Sequence, residues 1–202
     1  DAIPIKQFKR KNNYFLENFY YLKKNYQILE KNKKASQQDV KLIKSFKCLK
    51  KLRFIELPKD GLLEITKIIK KISKLNGCLL MIDYGYNFPN NQNTLQSVMK
   101  HKKNNYLENL GKADITSHVN FTLLKEFLIK NNLKVKKILN QREFLKNVGI
   151  MERAEIIAKK MSFREKTNLF LRLKRLISPR LMGDLFKVIL AYKHKNNNYI
   201  GF

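Results

Sequence analysis

The sequence predicts an α/β protein: an open sheet with a parallel part, an antiparallel strand pair at one edge, an inserted hairpin and flanking helices. Three observations predict it. Residues 61–77, GLLEITKIIKKISKLNG, carry an apolar stripe at Leu62, Ile65, Ile68, Ile69, Ile72 and Leu75, the spacing of an amphipathic helix, with Gly77 as a stop. Residues 78–82, CLLMI, follow at once, short and continuously apolar, as expected of a central strand buried on both faces. Two further strand-like runs, at 133–139 and 185–193, come late in the chain with helical segments between them, which suits an antiparallel edge pair. A helix leading into a buried strand is the unit of a parallel sheet, and such sheets hold ligands beyond the carboxyl ends of their strands.

The remaining elements follow in chain order. Residues 14–29, YFLENFYYLKKNYQIL, place aromatic and aliphatic residues on both sides of Lys23-Lys24-Asn25, the pattern of a β-hairpin. Residues 30–48 are polar and Lys-rich, a solvated loop or short helix. Phe54–Leu57 reads as a short strand stopped by Pro58. Asn120 is a candidate N-cap for a helix over 121–132. Residues 133–139, LKVKKIL, alternate as a strand. Three short helices, 141–149, 150–161 and 163–177, are separated by Gly149 and Ser162, and a final strand over 185–193 ends in the loop KHKNNN. Internal repeats are absent, and the 202 residues are expected to form one domain.

Lys and Arg number 43 against 16 acidic residues, a formal charge of +27. Such an excess raises nucleic acid or an anionic membrane as a partner. Here, however, it is mostly Lys, spread from end to end among Asn, Ile, Tyr and Phe, with 7 Gly, 4 Pro and no Trp. That scatter speaks against a specific nucleic-acid surface and fits AT-rich codon usage, since Lys is a point charge rather than a bidentate reader of phosphate or bases. Cys48 and Cys78 have no metal-ligand spacing and form no disulfide framework, so both are expected as reduced thiols. No stretch approaches the roughly 20 apolar residues of a membrane span.

The chemistry-bearing residues cluster between 83 and 118. Asp83-Tyr84-Gly85 stands at the carboxyl end of the predicted central strand: either a turn with Gly85 at positive φ, or a carboxylate and a phenol presented to a ligand. His101 is surrounded by Lys and reads by itself as a surface residue. Asp114, Thr116 and His118 precede a helix and could serve as caps or as site residues. A metal site from His101, Asp114 and His118 matches no strong zinc spacing, so no metal is expected. No Ser or Cys sits in a nucleophile elbow, and no Gly-rich phosphate loop is present.

Taken in order, DAIPIKQF (1–8), LLMIDYGY (79–86), TLQSVMKHK (94–102), GKADITSHVNF (111–121), QREFLKNVGI (141–150) and LISPRLMGDLFKVI (176–189) resemble the MidA-like family of S-adenosylmethionine-dependent methyltransferases. That family includes a mitochondrial protein arginine methyltransferase that assists complex I assembly. The resemblance spans nearly the whole chain and implies the C-terminal part of a Rossmann-like class I methyltransferase sheet, with S-adenosylmethionine as cofactor and an arginine of a protein as methyl acceptor. It implies Asp1, Pro4 and Gln7 on the cofactor side. Asp83 and Tyr84, with Gly85, form the substrate-facing floor, and His101, Asp114, Thr116 and His118 the opposite wall, either His being a proton acceptor. The implied chemistry needs alignment above all, and carboxylates suit it because they hold a guanidinium bidentately. The family's glycine-rich first strand-turn, a following acidic residue and an Asn-Glu pair ahead of the Asp1 position are not among these 202 residues. The expectation is therefore a single partial domain, which leaves open whether it binds the cofactor alone. One alternative is an inactive fragment; another is one half of a split enzyme with the N-terminal half as a separate chain. A bacterial cytoplasm is the expected location, with mitochondria as the alternative if the source is eukaryotic.

Overall fold

The chain begins with a small antiparallel sheet. Strands β1 (Lys6–Lys11), β2 (Tyr14–Leu22), β3 (Ile28–Lys34) and β4 (Phe54–Leu57) pair in the order β3-β2-β1-β4, in a computed structural model that describes residues 2–24, 27–193 and 199–202. The predicted hairpin is β2–β3. Its turn includes residues 25 and 26, outside the described residues, as are Asp1 and residues 194–198 of the predicted end loop. Because strand side chains alternate between faces, the sheet sorts its residues cleanly. Phe8, Phe15, Ile55 and Leu57 join Ile43, Phe46 and Leu49 in one apolar core. On the other face the register sets Asn18, Gln7 and Glu56 side by side across three strands.

Helix α1 (Gln37–Ser45) closes the core face, capped by Ser36, whose hydroxyl accepts the Asp39 N–H at 3.1 Å. The Lys-rich segment expected to be solvated thus contains part of β3, a helix, and an Asp39 that is only 1% exposed. Helix α2 (Lys59–Leu75) follows β4 and ends at Asn76 in the left-handed region, so the cap is one residue earlier than Gly77.

Strand β5 (Cys78–Tyr86) is the hinge of the second sheet. It pairs antiparallel with β12 (Phe186–Tyr192) along its length and parallel with β9 (Val119–Asn120) at Gly85 and Tyr86 only. Between them in the chain, β6 (Gln96–Met99), β7 (Lys102–Asn104) and β8 (Asp114–Thr116) form a separate three-stranded sheet. Helix α3 (Phe121–Lys130) starts at Asn120, whose side chain accepts the Leu123 N–H at 3.0 Å, as the cap pattern predicts.

The late strands form the expected antiparallel edge pair. Residues 133–139 are not one strand, though: β10 (Lys134–Val135) and β11 (Leu139–Asn140) are offset by one residue against β12, since Val135 faces Ala191 whereas Leu139 faces Val188. The extra residue is a bulge, which continuous alternation cannot reveal. Helices α4 (Gln141–Asn147), α5 (Ile150–Ala158) and α6 (Phe163–Ile177) match the three predicted ones. Gly149 takes φ 79° between the first two, and Ser162 caps the third with Glu165 returning the bond.

One expectation about β5 fails. Leu79 and Met81 pack on the cluster built by α2, α3, Ile189 and Ala191, but Leu80 and Ile82 on the other face are 47% and 46% exposed. Their register partners Leu190 and Val188 are buried, so on this face cover extends over β12 and stops short of β5 among the described residues. Composition cannot distinguish a strand covered twice from one covered once with an apolar face left open.

Candidate active site

The Asp-Tyr-Gly segment is strand, not turn. Gly85 is extended, and its need for glycine comes from β9: a Cβ there would stand 2.1 Å from the Val119 carbonyl oxygen and 3.0 Å from the Phe121 ring. The close approach swings Ser117, His118 and Asn120 over the end of β5. Asp83 accepts the Tyr84 N–H on its Oδ1 at 2.8 Å, and the Tyr84 ring meets His118 edge-on with centroids 5.3 Å apart and Phe186 at 5.7 Å.

Asp83 and His118 line a cavity of about 100 Å³ between β4, α2, β5 and α3. Glu56 and Tyr86 line it as well, and neither is among the residues anticipated from sequence. Glu56 is 8% exposed and firmly held. Its Oε1 accepts the Gln7 amide at 3.1 Å and the Thr94 N–H at 3.0 Å, and its Oε2 accepts the Thr94 hydroxyl at 2.5 Å. The Thr94 hydroxyl oxygen in turn accepts the His118 N–H at 3.0 Å, and the Gln7 amide also donates to Asn93 at 2.8 Å. Glu56 is thereby the hub that ties the small sheet to the segment carrying His118.

The electrostatics agree with this proximity. Burial pushes the His118 pKa below its ordinary value, and the Glu56 and Asp83 carboxylates only partly oppose it. The imidazole is therefore neutral at neutral pH. Burial, then the nearby Glu56 charge, push the Tyr86 phenol up to about 12, against a hydrogen bond with Asn120.

A wider groove of about 540 Å³ adjoins the cavity, sharing Ile3, Ile5 and Ser117 with it. Pro4, Gln7 and Thr116 line this groove, together with Tyr20 and Tyr106, whose rings meet edge-on at 5.9 Å. Several of the anticipated residues thus divide between two adjoining spaces, with the Tyr84 ring against His118. His101 and Asp114 join neither space: His101 is exposed at φ 63° in the β6–β7 turn, and Asp114 is exposed at the start of β8. Asp1 lies outside the described residues. Among the described residues no three His, Cys, Asp or Glu side chains come together as a metal site, so the His101, Asp114 and His118 set does not form.

A sequence signal for Glu56 did exist. It is the one acidic residue in an otherwise apolar four-residue strand, FIEL, immediately before Pro58. Tyr86 is the residue immediately after the predicted turn.

A family profile described as S-adenosyl-L-methionine-dependent methyltransferase matches residues 1–139. The chain belongs to this family. The Caenorhabditis elegans homolog of the mitochondrial protein arginine methyltransferase NDUFAF7 is 30% identical over 156 residues, 76% of this chain and 36% of that protein. The Danio rerio protein arginine methyltransferase NDUFAF7 is 27% identical over 135 residues, 67% of this chain and 32% of that protein. The chain therefore spans about a third of the length of these relatives. An uncharacterized Burkholderia thailandensis protein has the same fold, with TM-score 0.86 and 19% identity, covering 100% of this chain and 55% of that one. Another structure from that organism, of a likely methyl transferase with S-adenosyl-homocysteine bound, matches with TM-score 0.81 and 20% identity, covering 100% of this chain and 53% of that one. The fold is that of the class I methyltransferases, with the antiparallel edge formed by β10, β11 and β12.

Proposed function

We propose that this chain carries the methyl-acceptor side of an S-adenosylmethionine-dependent methyltransferase that modifies an arginine of a protein, in keeping with the names of its relatives, and that it takes part in respiratory complex I assembly. The observation that carries the reading is the joining of Asp83, Glu56 and a neutral His118 around one cavity at the carboxyl end of a central strand. The adjoining groove falls within the roughly 300–1,000 Å³ of small-molecule sites, and Ile3, Pro4 and Thr116 would line it around the cofactor. When bound, the cofactor supplies an electrophilic methyl group on a sulfonium.

An acceptor guanidinium nitrogen taking that methyl group would give up a proton, so the residues around it would need to orient the group and accept the proton. Carboxylate acceptors hold the guanidinium plane and favour electron density at the attacking nitrogen. His118 lines the same cavity with its pKa lowered by burial, and in this reading it would take the proton. Asp83 is oriented by the Tyr84 N–H, and Tyr84 fixes the imidazole from behind. The mitochondrial location of the relatives favours that compartment over a bacterial cytoplasm.

Calorimetric titration of the folded chain with S-adenosyl-homocysteine tests the cofactor part of this reading. Saturable binding near one site per chain is expected. A folded chain that binds none would remove cofactor binding from these 202 residues and leave it to a separate N-terminal half.

A further inference from the structure

Glu56 is an unusual carboxylate for this chain. The molecule carries 43 Lys and Arg, and the other deeply buried acids of the small sheet have recruited them. Asp39 lies 2.9 Å from Lys6 and 2.8 Å from Lys59, and Glu17 lies 3.2 Å from Lys6 and 3.5 Å from Lys33. Glu56 is comparably buried, yet among the described residues no cationic side chain stands within ion-pair distance of it. Its partners are neutral donors: an amide, a backbone N–H and a hydroxyl.

A buried charge without a counter-charge is costly, and neutral hydrogen bonds offset only part of that cost. The three donors also leave spare accepting capacity, because an ionised carboxylate offers about four lone-pair sites. Glu56 shares with Asp83 and His118 the wall of one cavity of about 100 Å³. We propose that Glu56 is a substrate-binding residue: with Asp83 it seats a guanidinium group, whose positive charge supplies the missing counter-charge. This inference rests on the methyltransferase reading for its biological meaning, but the recognition it describes needs no cofactor.

The hydrogen bonds give Glu56 a second consequence. An incoming cation that draws on the carboxylate also draws on Thr94, and through it on the backbone of His118. Seating the acceptor group thereby adjusts the element that carries the proton acceptor. Guanidinium suits this seat better than ammonium, since its planar fork engages two carboxylates at once while an ammonium remains a strongly hydrated point charge.

The test is an amide NMR titration of the full chain with N-acetyl-L-arginine amide and with its neutral isostere, N-acetyl-L-citrulline amide. The expected result is saturable shifts at Thr94 and His118 with the arginine probe, and at least about tenfold weaker binding of the citrulline probe. Glu56→Gln should abolish that preference, while Glu64→Gln, on the exposed face of α2, keeps it. Equal binding of the two probes, no binding of either, or an unchanged preference in Glu56→Gln would overturn the inference. If Glu56→Gln fails to fold, the arginine-to-citrulline ratio on the unaltered chain still decides. Homocysteine-cofactor binding without arginine preference would defeat this inference alone; arginine preference without cofactor binding would defeat only the cofactor part of the methyltransferase reading.

Discussion

Asp39 and Glu56 are buried carboxylates at opposite faces of the β1–β4 sheet, and the protein treats them in opposite ways. Asp39, on the core face, is clamped by two lysines and Ser36. Burial would raise its pKa, but hydrogen bonds from Lys59, Lys6 and Ser36 outweigh that and hold the carboxyl at about 2. Glu56, on the site face, has neutral donors and a cavity in front of it. An acid whose work is structural is neutralised within the fold. One whose work is binding is held rigidly and left for a ligand to neutralise.

The largest expected effect comes from the strand that brings the second face to the cavity. Gly85→Ala forces a methyl group against the Val119 carbonyl, separating β5 from β9 and displacing His118. We expect a loss of about 3 kcal/mol in urea unfolding. A cost below about 1 kcal/mol would mean that β9 moves freely, and the Glu56 face would then not be as firmly built as the Asp39 face.

Asp39→Asn should come next, at about 2 kcal/mol near neutral pH, with Glu56→Gln costing about half as much because its partners are neutral. The pH profile separates the two acids. The folded pKa of Asp39 lies below its unfolded value of 3.8, so its contribution is present above that value and is lost as the pH falls through about 2. Unaltered protein and Asp39→Asn should therefore converge in urea midpoint toward pH 2. A gap independent of pH would show that Asp39 acts through packing rather than charge.

The smallest effect is on His118. Proton NMR of the imidazole should give a pKa below 6.5, since burial dominates over the Glu56 and Asp83 charges. A value above 6.5 would mean that the carboxylates prevail over burial, contrary to the expected direction.

Much of this arrangement was legible in the sequence. The stripe from Leu62 to Ile72, the N-cap at Asn120 and the breaks at Gly149 and Ser162 report local preferences, and local preferences decide helices. Asp83 and His118 could be anticipated because motif order placed them beside the end of one strand. Glu56 stood out only as the acidic residue of FIEL; its surroundings were not legible, because they depend on Gln7 from 49 residues earlier and on bonds from Thr94, 38 residues later. Gly85 was expected at a turn or at a ligand-facing strand end, and only the position of Val119 reveals that the close approach of β9 requires a glycine there.

The sequence by itself determined the α/β class, the helices from α2 onward and the edge pair. These depend on periodicity, caps and motif order, all of which are written along the chain. Tertiary structure alone decided which carboxylates meet which charges: that Asp39 turns toward Lys6 and Lys59, that Glu56 turns toward the cavity, and that His101 and Asp114 stay outside it. The reason is that burial and counter-charge are properties of three-dimensional neighbours, and residues close in space here come from strands and loops far apart in the chain.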